Sequence, residues 1–258
     1  MNKFIANIKN NIDFRLRNKI KFSKKNYFLE NESKENLFDT VEEIELEDFL
    51  FKKYELSYLK NNSACNNYVE NLSILNTLDK YLEMDFKENL MVLDIGSKNW
   101  SYVKGEYFFF KKYCDNLCLY GIELDSNRLY TNLYSRKEVA KFHIKNLQNT
   151  TYIEGNLLGH KKKYDVIIWI LPFLTEFPLI KWGLPLKYFK PVSMLNYAYN
   201  LLNENGKIFI INQGEEEFDK QIELCNKLHF KHNRIGLIEN PFCYYTKDRY
   251  LTIIKKQF

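Results

Sequence analysis

At 258 residues, with 45% hydrophobic and 16% aromatic side chains, the chain is long enough for one sizeable α/β unit plus an appendage and too apolar to be disordered. A net charge of +5 is mild, and no apolar run reaches the roughly 18–20 residues that a membrane span requires. Five scattered cysteines (Cys65, Cys114, Cys118, Cys225, Cys243) argue against a disulfide framework, and the first residues lack a signal peptide's apolar block, so a cytoplasmic protein with reduced thiols is expected.

Charge is uneven along the chain. Residues 1–25 carry eight Lys/Arg against one Asp, whereas residues 30–48 carry nine Asp/Glu against one Lys. Phe4, Ile8, Ile12, Leu16 and Ile20 fall four apart, with Ile5 beside them, which predicts an amphipathic helix. Two uses of that helix stay open. It could lie on an anionic membrane or a phosphate backbone, or it could dock on the rest of the chain with its lysines solvated or paired with the acidic segment. Leu72, Leu75, Leu78 and Leu82, with Ile74 and Tyr81, predict a second helix over about residues 66–84.

From Leu90 onward the pattern alternates. Strands are predicted at 91–95, 117–123, 150–154, 164–170, 206–212, about 230–238 and about 249–256, with helices near 99–114, 127–147, 191–204 and 214–229. Pro191 suits a first helical turn, and Asn205-Gly206 marks a stop. The expected fold is α/β, a doubly wound, Rossmann-like, mostly parallel seven-stranded sheet. No helix separates the last two strands, so they should pair antiparallel. Residues 1–85 read as a helical N-terminal extension that could cover a cleft, and residues 86–258 as a cofactor-binding domain.

The chemistry should lie at the strand ends, where ligands of open α/β sheets gather. The first strand ends in Asp94-Ile95-Gly96, and the second in Gly121-Ile122-Glu123. A carboxylate at the tip of the second strand can chelate both hydroxyls of a ribose. Asp125 competes with Glu123 for that role, or caps the helix from Asn127. A dinucleotide is disfavoured, because a pyrophosphate needs Gly-x-Gly-x-x-Gly and the second and third glycine positions after Gly96 hold Lys98 and Ser101.

Val92-Leu93-Asp94-Ile95-Gly96-Ser97 resembles the first motif of class I S-adenosylmethionine-dependent methyltransferases, and Tyr120-Gly121-Ile122-Glu123 resembles their ribose-binding second motif. The resemblance covers about residues 88–256. It implies a cofactor set of Asp94, Gly96, Glu123, Asn156, Leu157 and Ile170, with Asp94 organising the methionine end and Asn156 accepting from the adenine amino group. The chain departs from the family at Lys98–Trp100, where further glycines are usual. It also lacks the Asn/Asp-Pro-Pro-aromatic sequence of amino-group methyltransferases, since only Pro172-Phe173 stands after the fourth strand.

The implied activity is methyl transfer to an unidentified acceptor, with a small molecule expected and nucleic acid or protein acceptors left open. The rivals are a methyltransferase-like binding or scaffold protein without turnover, and an NAD-dependent oxidoreductase. Phe173, Phe177 and Trp182 in a proline-stiffened segment would wall an apolar or planar acceptor, with Asn212 and Gln213 orienting it. Glu176, just beyond the fourth strand, is the base expected from position, although Glu215-Glu216-Glu217 also follow a strand and suit either a base or a helix N-terminus. His143, His160, His229 and His232 have no metal-ligand spacing, and no metal is expected.

Overall fold

A computed structural model describes residues 2–24, 27–242 and 246–256. Its sheet has seven strands in the order β3-β2-β1-β4-β5-β7-β6. These are β1 (Lys87–Ile95), β2 (Cys114–Glu123), β3 (Thr150–Glu154), β4 (Tyr164–Ile170), β5 (Leu202–Gln213), β6 (His232–Leu237) and β7 (Arg249–Lys255). Strands β1 to β5 run parallel, and β7 enters antiparallel between β5 and β6. Strand order reverses beside β1, which has β2 on one side and β4 on the other. A crevice must open there beyond the carboxyl ends, because the connecting loops leave in opposite directions.

Successive residues of a strand face opposite sides of a sheet. Val92, Leu119, Ile168 and Phe209 therefore join one core, with Leu72, Leu75 and Leu78 of α4 (Cys65–Tyr81) and Phe109 and Phe110 of α5 (Val103–Lys111). Leu93, Ile167, Ile208 and Ile210 face the other layer, against Leu195 and Ala198 of α8 (Pro191–Asn200) and Cys225 of α9 (Gly214–Lys227). Leu50 and Tyr54 of α2 (Val41–Tyr54) and Leu59 of α3 (Ser57–Asn61) belong to the first of these cores. Helix α2 starts where Thr40 and Glu43 form a reciprocal capping box.

Two helices depart from the sequence expectation. The helix predicted from 127 is α6 (Arg136–Ile144), which starts nine residues later. Ser135 accepts from the Glu138 backbone N–H while Glu138 accepts from that of Ser135, so the capping box sets the start. Asp125 does not cap it. Its carboxylate is fully buried and accepts two hydrogen bonds, each 3.0 Å, from Arg17.

The second departure is α1 (Lys3–Ile20). It docks, but through Ala6, Asn10 and Phe14, and the expected apolar face of Phe4, Ile5, Ile8, Ile12, Leu16 and Ile20 is exposed. Specific polar bonds explain the choice of face. Asn10 donates to the carbonyls of Ile180 and Leu184 at 2.9 and 3.1 Å, and the Leu186 N–H donates to Asn7 Oδ1 at 2.9 Å. Buried backbone carbonyls demand partners, so an asparagine in register outweighs the burial of an isoleucine. No ion pair joins α1 to the acidic 30–48 segment among the described residues; Lys3 pairs with Glu176 and Arg17 with Asp125.

Four of the cysteines are free thiols, and Cys243 lies outside the described residues. No helix among the described residues is long and apolar enough to cross a membrane.

Candidate active site

One cavity of about 1020 Å³ opens over the switch point of the sheet. The ends of β1, β2, β4 and β5 meet in it, and α4, the segment from Leu171 to Leu195, the residues after β3 and parts of α6, α9 and the β6–β7 connection add to the wall.

Its floor is the turn after β1. Gly96 has φ +73°, and a Cβ there would touch nothing within 4 Å, so the turn opens onto free space. The non-glycine residues Lys98 and Trp100 also take left-handed backbone, at φ 53° and 48°. Such residues cost roughly 1–2 kcal/mol each, so surrounding contacts must impose the shape. They are visible. The Lys98 N–H donates to Glu123 Oε2 at 3.0 Å, and its carbonyl accepts from the Tyr152 hydroxyl at 2.5 Å. Trp100 is fully buried and donates from Nε1 to Glu106 at 2.9 Å. Its ring packs against Gly121, where a Cβ would come within 2.8 Å of it, so β2 needs glycine at that point. The loop thus keeps a glycine-like path without the glycines.

Glu123 lies on the cavity wall, and the protein already uses most of it. Oε1 accepts from the Asp125 N–H at 2.6 Å and from Arg136 Nη1 at 3.0 Å, and Oε2 accepts from Lys98. The Glu123–Arg136 pair is buried on both sides. A carboxylate offers about four lone-pair sites, so three donors leave room for one more, on Oε2. For Glu123 to take both ribose hydroxyls, as expected from the sequence, one of these three donors would have to give way.

Asp94 is not on the wall. It is fully buried under the turn, where one oxygen accepts from the Tyr102 hydroxyl at 2.7 Å and the other has no partner. Burial raises its pKa to about 8, although the Tyr102 bond opposes the shift. Asn156, Leu157 and Ile170 line the cavity, with Gly155 beside them. Asn156 Oδ1 accepts from the Leu158 N–H at 3.1 Å, capping a short 3₁₀ turn, which leaves its other lone pair and its amide donors.

The acceptor-side expectations divide. Phe173, Phe177, Trp182 and Gln213 line the cavity. Phe173 also packs near Phe14 of α1, and two cations stand over the indole of Trp182, Lys98 Nζ at 4.5 Å and Arg136 Cζ at 5.7 Å from its centroid. Asn212 is fully buried off the wall, with both amide atoms unpartnered. Glu176, the expected base, is also off the wall, because it starts α7 (Glu176–Lys181) and faces outward onto Lys3.

Sequence reasoning missed two carboxylates that do line the cavity. Glu217 accepts from the Gln213 N–H at 3.3 Å, and burial raises its pKa. Glu70 on α4 is raised by burial too. It also missed Arg136, although Ser135-x-x-Glu138 announces the helix that presents it. Four exposed lysines, Lys181, Lys187, Lys190 and Lys247, stand on the wall, and none is in an ion pair among the described residues. No group of His, Cys, Asp and Glu among the described residues could hold a metal ion.

In sequence, the chain matches no protein-family profile and no curated protein. In structure, it is similar to a methyltransferase from Pyrococcus furiosus, at 19% identity over 73% of this chain and 83% of that one, with a TM-score of 0.50. A precorrin-6y C5,15-methyltransferase from Geobacter metallireducens aligns at 13% identity over 71% of this chain and 88% of that one, with a TM-score of 0.47. A SAM-dependent methyltransferase from Aquifex aeolicus aligns at 12% identity, over 70% and 87%, with a TM-score of 0.48.

Proposed function

The chain has the class I S-adenosylmethionine-dependent methyltransferase fold, and from that premise we propose that it transfers a methyl group from S-adenosylmethionine to a small acceptor bearing an anionic group. The observation that carries the reading is the pairing of an open turn at Gly96 with a carboxylate oxygen on Glu123 that has one hydrogen-bonding position left. Both face one cavity, and Lys98 fills the second glycine position that a pyrophosphate loop would need.

When bound, the cofactor supplies an electrophilic methyl on a sulfonium. The chain's own contribution is alignment, exclusion of water and management of one proton. Glu123 would hold a ribose hydroxyl, and Asn156, Leu157 and Ile170 would flank the nucleoside. Phe173, Phe177 and Trp182 would wall a planar acceptor. The unpaired lysines on the wall favour an acidic acceptor over a basic one, since like charges in a common cavity repel. Glu217 replaces Glu176 as the base, because it lies on the wall and burial brings its pKa nearer neutrality, where a carboxylate accepts a proton best.

A second reading, cofactor binding without turnover, is favoured by one observation: Glu176, the base expected from position, lies off the cavity wall and pairs with Lys3. A thermal-shift series separates these readings from the oxidoreductase. S-adenosylhomocysteine at about 100 times its dissociation constant should stabilise the protein by roughly 2.7 kcal/mol, while NAD leaves it unchanged. Stabilisation by NAD alone would refute the proposal.

A further inference from the structure

We infer that the outer face of α1 is a docking surface for an anionic lipid membrane. The inference rests on α1 alone and stands whether or not the cavity transfers methyl groups.

The helix has two opposite faces. At roughly 100° per residue, Ala6, Asn10, Phe14 and Arg17 lie together, and Phe4, Ile8, Ile12 and Leu16 lie about 180° away. The first face is fixed to the body by Asn10 on two carbonyls and by Arg17 on Asp125. Its outward orientation is therefore set, not a matter of a loosely tethered segment. On the second face Phe4 is 69% exposed, Ile12 53% and Ile20 71%, with Ile5, Ile8 and Leu16 between them. Single apolar residues on a surface are ordinary, but six large ones on one stripe of one helix are a patch that water disfavours and a partner would cover.

Charge identifies the partner. Arg15 and Lys19 project within the same arc and are exposed, with no ion pair among the described residues. The only acidic side chain of the helix, Asp13, is held by Lys9. Exposed apolar residues with cations among them suit a helix lying in the plane of an anionic bilayer, where the long stems of Arg15 and Lys19 let their charged ends reach up to the headgroups while the apolar side chains sink below them. A second copy of the chain fits less well, because symmetric pairing would bring Arg15 and Lys19 against their own kind. A partner helix also fits less well. Apolar residues spaced by four drift about 40° per step, covering roughly 160° in all, whereas a coiled-coil seam must stay narrow. A fluid surface needs no register.

The test is co-sedimentation of the full chain with vesicles of phosphatidylcholine alone and with about one-third phosphatidylglycerol. The wild type should bind the anionic vesicles about tenfold better than the neutral ones, and binding should fall as salt is raised. Ile8→Glu with Ile12→Glu should abolish the binding, with the melting temperature little changed, since both side chains lie on the exposed face. Light scattering on the same samples should show wild type and variant with the same mass. Equal binding to both vesicles, no binding, or undiminished binding by the variant would overturn the inference. A wild-type dimer that the double variant converts to monomer, without lipid binding, would assign the face to a second copy instead.

Discussion

The two ends of the cavity are built on different principles. Around β1 and β2 the frame is held by specific contacts: Glu123 holds three donors, Lys98 is fixed through its N–H and its carbonyl, and Trp100 is sealed against Gly121. Around α7 and α8 the wall is made of half-exposed rings and lysines without carboxylate partners. Regular strand ends can be specified to a fraction of an ångström, and a ligand common to a whole fold suits such a frame. Loops supported from one side tolerate change, and an acceptor particular to one protein suits those. Helix α1 crosses the boundary, because Arg17 grips Asp125 beside the β2 tip while Asn10 grips the end of α7. It couples the rigid end to the adaptable one.

Substitution should separate the two ends most sharply in stability. Glu123→Ala strips a buried arginine of its counter-charge and should cost about 3–5 kcal/mol by chemical denaturation. Lys187→Ala or Lys190→Ala should stay within about 0.5 kcal/mol, as exposed side chains free of ion pairs usually do. A loss below about 1 kcal/mol at Glu123 would mean that the strand-tip end is not the rigid one.

A smaller effect should appear in pH dependence. An unfolded aspartate loses its proton near its ordinary value of about 3.9, whereas burial holds that of Asp94 to about 8. The folded state therefore binds the extra proton between those values. The contribution is complete below about pH 4 and is lost as the pH rises toward 8, which lowers stability over that window. Asp94→Asn cannot titrate. From about pH 5 to 8 the wild type should lose stability progressively relative to this variant. Parallel denaturation curves would show that Asp94 is ionised in the fold.

The sheet was legible because its strands are short apolar runs bounded by glycine and asparagine, and β4 was expected and observed over the same residues, 164–170. The strand-tip residues were legible for the same reason, since chain order alone puts Gly96 and Glu123 at the switch point. What could not be read was direction and competition. Periodicity shows that α1 has an apolar stripe but not which face docks; two asparagines and an arginine decided that, through partners more than 100 residues away. Glu176 has the right position in sequence, but α7 turns it outward. Arg136 taking a share of Glu123 depends on where α6 begins, and only the capping box, four residues wide, fixes that point.

The most direct measurement is the calorimetric affinity of S-adenosylhomocysteine for wild type, Glu123→Gln and Trp182→Ala, with folding of each checked by circular dichroism. If the β2 tip holds the cofactor, Glu123→Gln weakens binding roughly tenfold through loss of one charge-assisted hydrogen bond, and Trp182→Ala changes it by less than about threefold if its ring, as proposed, belongs to the acceptor wall. Unchanged affinity in Glu123→Gln, or a larger loss in Trp182→Ala than in Glu123→Gln, would contradict the assignment of the two ends.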